Sequence, residues 1–138
     1  MPIKFGNSDV TTFRLGNSQV DRIYWGDHLV WTSRVPLTAS VSGGTAQVFQ
    51  PEPAPAQMTV EAQATVTPSG GTGSYTISWA RISGDAITIG TVNARTARFT
   101  ANLFHNSQRT AMVRCTISDG ITTITRDFQV TLYYYTNL

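Results

Sequence analysis

The sequence predicts an all-β chain: a short N-terminal β-hairpin repeat segment followed by an antiparallel β-sandwich. Three observations carry that prediction. Between residues 59 and 133, apolar and polar residues alternate over one run after another, turn signals separate the runs, and a 3.6-residue periodicity occurs nowhere. Charged residues make up 13% of the 138-residue chain, about half the usual ~25%, and Thr and Ser take their place; a polar but uncharged, β-branched surface suits sheet. The chain also opens with one ten-residue phrase used three times: FGNSDV from Phe5, LGNSQV from Leu15 and WGDHLV from Trp25.

Residues 1–33 hold this repeat. Gly6, Gly16 and Gly26 recur at ten-residue intervals, as do Val10, Val20 and Val30. Short β-prone pieces (Ile3–Phe5, Phe13–Leu15, Ile23–Trp25, Leu29–Trp31) flank Gly-Asn or Gly-Asp pairs. Glycine supplies a positive φ and Asn or Asp tolerates it best among other residues, so each pair marks a tight reversal and each copy a β-hairpin. Apolar parity changes between Val10 and Phe13, and again between Val20 and Ile23, which places a bend or bulge at Thr11-Thr12 and at Asp21-Arg22. Three such units bury little alone and call for a stacking partner.

Residues 34–58 read as a linker with a first strand in Leu37–Val41, followed by the stiff, proline-rich run Gln50–Ala56. Residues 59–138 read as the remainder of the sandwich, whose whole extent is about 37–133. Val60, Ala62, Ala64 and Val66 form one alternating set; Tyr75, Ile77 and Trp79 the next; then Ile87-Thr88-Ile89; then Ala97, Phe99, Ala101 and Leu103. Ala111, Val113, Cys115 and Ile117 follow, the pair Asp119-Gly120 signals a hairpin, and Phe128, Val130 and Leu132 close the pattern. Pro68–Gly73 and Ser83-Gly84-Asp85 are loop and turn. Many short alternating strands without helical periodicity define a sandwich.

Composition narrows the function. The net charge is +2, and the Lys and Arg residues are scattered singly, so the clustered basic face of a nucleic-acid binder is missing. Cys115 is the single cysteine; an intramolecular disulfide is impossible, which fits folding in a reducing cytoplasm. The N-terminus lacks the apolar core of a secretory signal, and no apolar run approaches the ~20 residues that span a bilayer, so membrane insertion is not expected.

Chemistry-bearing residues are few. His28 and His105 are the two histidines, and they do not stand at metal-ligand spacing. Asp27-His28 reads as the turn of the third copy, and His105 as a loop residue. Cys115 shares the parity of Val113 and Ile117, which makes it a buried, inert thiol. Ser69–Gly73 is glycine-rich but lacks the Lys and following helix of a phosphate site. No catalytic residue, cofactor or metal is therefore expected, and the chain is not read as an enzyme.

The aromatics say more. Trp79, mid-strand, is the expected core tryptophan. Tyr24, Trp25 and Trp31 crowd a segment too small to bury three large rings by itself. They either contact another subunit or pack on the chain's own sandwich, and Tyr and Trp are the residues interfaces favour. Phe5, Phe13, Leu15, Ile23 and Val30 belong to the same expected partner interface. Tyr133, Tyr134 and Tyr135 place rings on alternating faces of the last strand, so at least one points outward. They either finish that strand or offer a glycan contact.

Two resemblances follow from these residues. Trp79 in YTISW, with Cys115 in VRCTISDG 36 residues later, resembles the C and F strands of an immunoglobulin-like domain. SGGTGSYTISW is similar to the glycine-rich loop and Trp strand of PKD-like and bacterial Ig-like domains. Here the first cysteine of the Ig pair is replaced within the Ala62/Ala64 region and the corner tyrosine by Val113, so the likeness is to the broad superfamily, whose fold does not fix function. The stretch VDRIYWGDHLVW, residues 20–31, resembles a segment recurrent in virion proteins of tailed bacteriophages, where it often stands at the N-terminus of small tail, baseplate or fibre-associated proteins. That resemblance implies a virion structural protein: the repeat docks onto a symmetric tail, baseplate or fibre assembly of other virion proteins and copies of itself, and the Ig-like domain is exposed. A capsid decoration protein and a host-adhesion module binding a surface glycan are the alternatives.

Overall fold

The computed structural model describes residues 4–5, 8–9, 12–20, 22–32 and 35–137. Two compact units divide the chain, residues 1–36 and 37–138, and the described residues contain strands and turns with no helix.

Among the described residues, the first unit holds three two-stranded hairpins. Strands β1 (Lys4–Phe5) and β2 (Ser8–Asp9) form the first, β3 (Phe13–Leu15) and β4 (Ser18–Val20) the second, β5 (Arg22–Trp25) and β6 (His28–Thr32) the third. Each copy of the phrase thus builds one hairpin, with Gly-Asn or Gly-Asp at the reversal where it is described. Gly16 and Gly26 have φ of 63° and 59°; a positive φ at the first central residue and not at the second is the pattern of a type II′ turn, whose twist matches the flanking strands. A register irregularity lies between Ile23 and Tyr24, next to the bend expected at Asp21-Arg22; Thr11 and Asp21 themselves, and Val10, lie outside the described residues.

The second unit is a two-sheet sandwich. One sheet has the order β11 (Thr88–Asn93), β12 (Thr96–Phe104), β9 (Gln57–Ser69), β7 (Thr38–Gly43); the other has β10 (Thr76–Gly84), β13 (Ser107–Ser118), β14 (Thr123–Thr136), β8 (Thr45–Gln50). Taken in chain order these are the A-B-E-D and C-F-G sheets of an immunoglobulin-like domain, with an added strand, β8, beside the last. The alternating sets face inward as the sequence predicts. Val60, Ala62, Ala64 and Val66 of β9, Ala97, Phe99 and Leu103 of β12, Ala111, Val113, Cys115 and Ile117 of β13, and Val130 and Leu132 of β14 are all buried. Trp79 is directly opposite Cys115 in the β10–β13 register. Its ring meets Phe99 and Phe128 edge-on at centroid distances of 6.1 and 5.8 Å, and Phe99 meets Phe128 at 5.8 Å. Three mutually edge-to-face rings therefore join the two sheets at the centre of the core.

Residues 34–58 depart from the expected linker with one strand. They hold two whole strands, β7 and β8, and the first two residues of β9, because the Gly43-Gly44 pair ends β7 and lets β8 pair with the other sheet. Both glycines have positive φ, 99° and 95°. A Cβ on Gly43 would stand 2.3 Å from the Gln63 carbonyl oxygen, so the backbone passes β9 at a distance only glycine permits. The Gly44 N–H donates to the Gln63 carbonyl at 2.9 Å, while its carbonyl accepts from the Thr131 N–H at 2.9 Å; one residue is stitched to both sheets. Strand β8 then runs parallel to β14, from Thr131↔Thr45 to Thr136↔Gln50. The sandwich is thus antiparallel except for this pair, and it extends beyond residue 133 to Thr136, which is buried. The proline-rich residues 51–56 form a loop.

Candidate functional site

Among the described side chains of the repeat segment, Leu15, Tyr24 and Trp25 face solvent. The second hairpin pairs Phe13↔Val20, Arg14↔Gln19 and Leu15↔Ser18, and the third pairs Ile23↔Trp31 and Trp25↔His28. Leu15 and Trp25 occupy the same position of the repeat, immediately before the turn glycine, and are 80% and 81% exposed. Tyr24 is 52% exposed and Ile23 half-buried. The side chains of Phe5, Phe13, Val30 and Trp31 lie outside the described residues. Among the described residues each hairpin is a sheet of two strands, so backbone donors and acceptors on the outer edges have no strand partner. His28, expected in the turn, is instead the first residue of β6. It and Asp27 are exposed.

The three C-terminal tyrosines separate as their alternation requires. Tyr134 is fully buried and its hydroxyl donates to the Pro55 carbonyl at 2.7 Å. That corrects its assignment as a glycan contact: its parity matches Val130 and Leu132, which makes it the last core residue of β14. Burial raises its pKa, with the nearby Glu52 carboxylate adding to the effect. The His105 Nε2 shares the same Pro55 carbonyl and its ring meets Tyr134 edge-on at 5.5 Å, so His105 pins the proline-rich loop. Tyr133 and Tyr135 lie on the outward face, half-buried, with rings within 15° of parallel and centroids 5.5 Å apart.

Remaining polar groups are engaged in structure. Asp119 is buried, and its carboxylate accepts from the backbone N–H of Thr72, Ile121 and Thr122 at 3.1, 2.9 and 2.6 Å. It clamps the glycine-rich loop 70–73 to the β13–β14 turn, a role that the hairpin signal of Asp119-Gly120 does not announce. Burial pushes the Cys115 thiol up to about 11, away from thiolate chemistry. A shallow open cleft is lined by Asp85, Asn102, Phe104, Ser107, Gln108 and Arg109. Its Asp85 carboxylate accepts from the Thr110 N–H and its Arg109 guanidinium donates to the Ala86 carbonyl, so its charged groups already have partners. Among the described residues no group of three or more His, Cys, Asp or Glu side chains is placed to hold a metal ion, and no helix is long and apolar enough to cross a membrane.

Sequence reasoning passed over Phe49, which is 53% exposed and lies beside Tyr135 in the β14–β8 register. The signal was present in the alternation of Ala46 and Val48 with Gln47 and Phe49, once 45–50 is read as a strand.

Fold and surface together define an all-β chain, a two-sheet sandwich preceded by a hairpin repeat in which Leu15, Tyr24 and Trp25 face solvent. No protein-family model, no curated protein and no solved structure matches the chain.

Proposed function

We propose that the chain is a structural protein of a tailed-bacteriophage virion, in which the hairpin repeat docks onto a symmetric tail, baseplate or fibre assembly and the Ig-like domain is exposed on the particle. The observation that carries this reading is the in-phase exposure of Leu15 and Trp25 at one position of the repeat. A two-stranded hairpin is at best marginally stable alone, and a repeat of such units gains stability by stacking against neighbours. Desolvating rigid aromatic and aliphatic side chains at regular intervals supplies the anchoring energy, as hot-spot residues do in protein interfaces. Many copies per particle follow from the symmetry of such assemblies. The likeness of residues 20–31 to a recurrent virion segment points the same way. A decoration protein on the capsid is one position on the particle compatible with this mechanism.

The test is incorporation. Particles from the source culture are purified by density gradient and probed with an antibody against the 37–138 unit. The chain is expected in the particle band, and Trp25→Ala is expected to remain folded but to leave that band. A chain that stays with the soluble proteins, or a Trp25→Ala variant incorporated like the original, overturns the proposal.

A further inference from the structure

We infer that the outward face of the β10–β13–β14–β8 sheet carries a binding site for a neutral oligosaccharide, built on Tyr133, Tyr135 and Phe49 and flanked by Gln47 and Gln108. This site is separate from the docking surface proposed for the repeat and does not depend on it.

Register places these five residues together. Tyr133 is opposite Gln47 on one side and Gln108 on the other, and Tyr135 is opposite Phe49. Tyr133 and Tyr135 hold each other nearly parallel, so their orientation is fixed before any ligand arrives and little rotamer freedom is lost on binding. Phe49 extends the apolar surface across to β8. Aromatic rings of this kind match the C–H faces of pyranose rings, which are apolar while their rims are hydroxylated.

The polar groups match the rims. Gln47 and Gln108 are exposed and their side-chain amides make no hydrogen bond among the described residues, in contrast to that of Gln129, which donates to Thr131. An amide both donates and accepts, and so does a sugar hydroxyl. Gln108 also lines the open cleft, which gives a longer saccharide a place to continue.

Charge selects the occupant. The register partners of Tyr133 and Tyr135 are uncharged, and the Arg114–Asp127 ion pair on the same sheet is bidentate at 2.8 Å for both contacts. An anionic polymer finds no free cation among these five residues, and a charged peptide finds no counter-charge. A neutral, hydroxyl-rich, ring-shaped ligand is complementary to such a face.

Affinity electrophoresis of the full chain in gels containing amylopectin, laminarin, mannan or galactomannan tests this, with hyaluronate as the anionic control. At least one neutral polysaccharide is expected to retard the protein and hyaluronate to leave its mobility unchanged. Tyr135→Ala and Phe49→Ala, each checked for an unchanged circular-dichroism spectrum, are expected to weaken retardation at least tenfold, and Gln47→Ala several-fold. Should a variant lose its fold, Tyr135→Leu keeps apolar bulk without a stacking face and is expected to lose retardation as well. Unretarded migration in all four neutral gels, retardation by hyaluronate alone, or full retardation of the Tyr135 and Phe49 variants overturns the inference.

Discussion

Replacing Asp119 by alanine tests whether one buried carboxylate organises an end of the sandwich. Its Oδ1 accepts from the Ile121 and Thr122 N–H groups and its Oδ2 from the Thr72 N–H. Each hydrogen bond to a charged group contributes ~1.5–3 kcal/mol, but Thr72, Ile121 and Thr122 are exposed, so their freed N–H groups partly regain water. The expected cost of Asp119→Ala is therefore about 3 kcal/mol rather than the sum of three full bonds. Gly71 gives an independent handle on the same contact. Its φ is 62°, and a Cβ there would stand 2.2 Å from Asp119 Oδ2. Gly71→Ala thus carries ~1–2 kcal/mol of left-handed backbone strain plus the displacement of the carboxylate. With Asp119 already truncated, the clash with Oδ2 is gone, and the backbone strain and a 3.2 Å contact with the Cβ of residue 119 remain. Urea unfolding followed by tryptophan fluorescence reads both effects; for a domain of this size a 3 kcal/mol loss lowers the midpoint by about 1.5–2 M. A double-mutant cycle is expected to show a coupling of about 1–2 kcal/mol. An Asp119→Ala variant within about 0.5 kcal/mol of the original, or a Gly71→Ala cost that is equal in both backgrounds, would refute the reasoning.

Other outcomes follow from the same geometry. Phe99→Ala removes a fully buried ring from the Trp79–Phe99–Phe128 cluster and is expected to cost ~3–5 kcal/mol in urea titration. The Cys115 thiol is expected to resist iodoacetamide in the folded protein and to react once urea unfolds it. Because its folded pKa is about 11 against an ordinary value of 9.0, the unfolded chain releases that proton first; its contribution to stability is expected to be intact below pH 9 and to decline as pH rises towards 11, so Cys115→Ala lessens the alkaline decline and leaves the part due to Tyr134, whose pKa burial also raises. Tyr134→Phe deletes the hydroxyl bonded to Pro55 and is expected to cost about 1 kcal/mol while speeding proteolytic cleavage in the loop 51–56. Trp25→Ala, at a side chain 81% exposed, is expected to leave the thermal midpoint of the sandwich unmoved in a calorimetric scan.

What could be read from the sequence was whatever local pattern determines. Period-two alternation placed the inward residues of β9, β12, β13 and β14, because a pleated strand with one buried face has no other way to arrange them. The ten-residue phrase located the described hairpin turns because Gly at the first central position is a local requirement. Non-local pairings were hidden. Strand β8 takes its partner from residues 131–136, more than 80 positions away, and nothing within 45–50 specifies a parallel neighbour. Its one clue, Gly43-Gly44, reads as a plain turn until the contact with Gln63 is seen. Tyr134 shows the same limit. Alternation forced one of Tyr133–Tyr135 apart from the other two, but which side faced the core depended on a strand that continues to Thr136. Asp119 looked like a turn residue because its main partner on the other loop, Thr72, lies 47 positions earlier.

Strand β8 has a mechanical consequence. The chain comes into β8 from its N-terminal side and leaves the domain at the C-terminal end of β14, and the two strands run in the same direction. Tension applied between the two ends of residues 37–138 therefore drags β8 and β14 in opposite senses along their common axis. The rungs from Thr131↔Thr45 to Thr136↔Gln50 are loaded together in shear and must rupture as a group, where an antiparallel pair pulled from one end would peel rung by rung. A domain held at its N-terminal end and tugged at the other is braced against that pull by the strand that Gly43 and Gly44 pass from one sheet to the other.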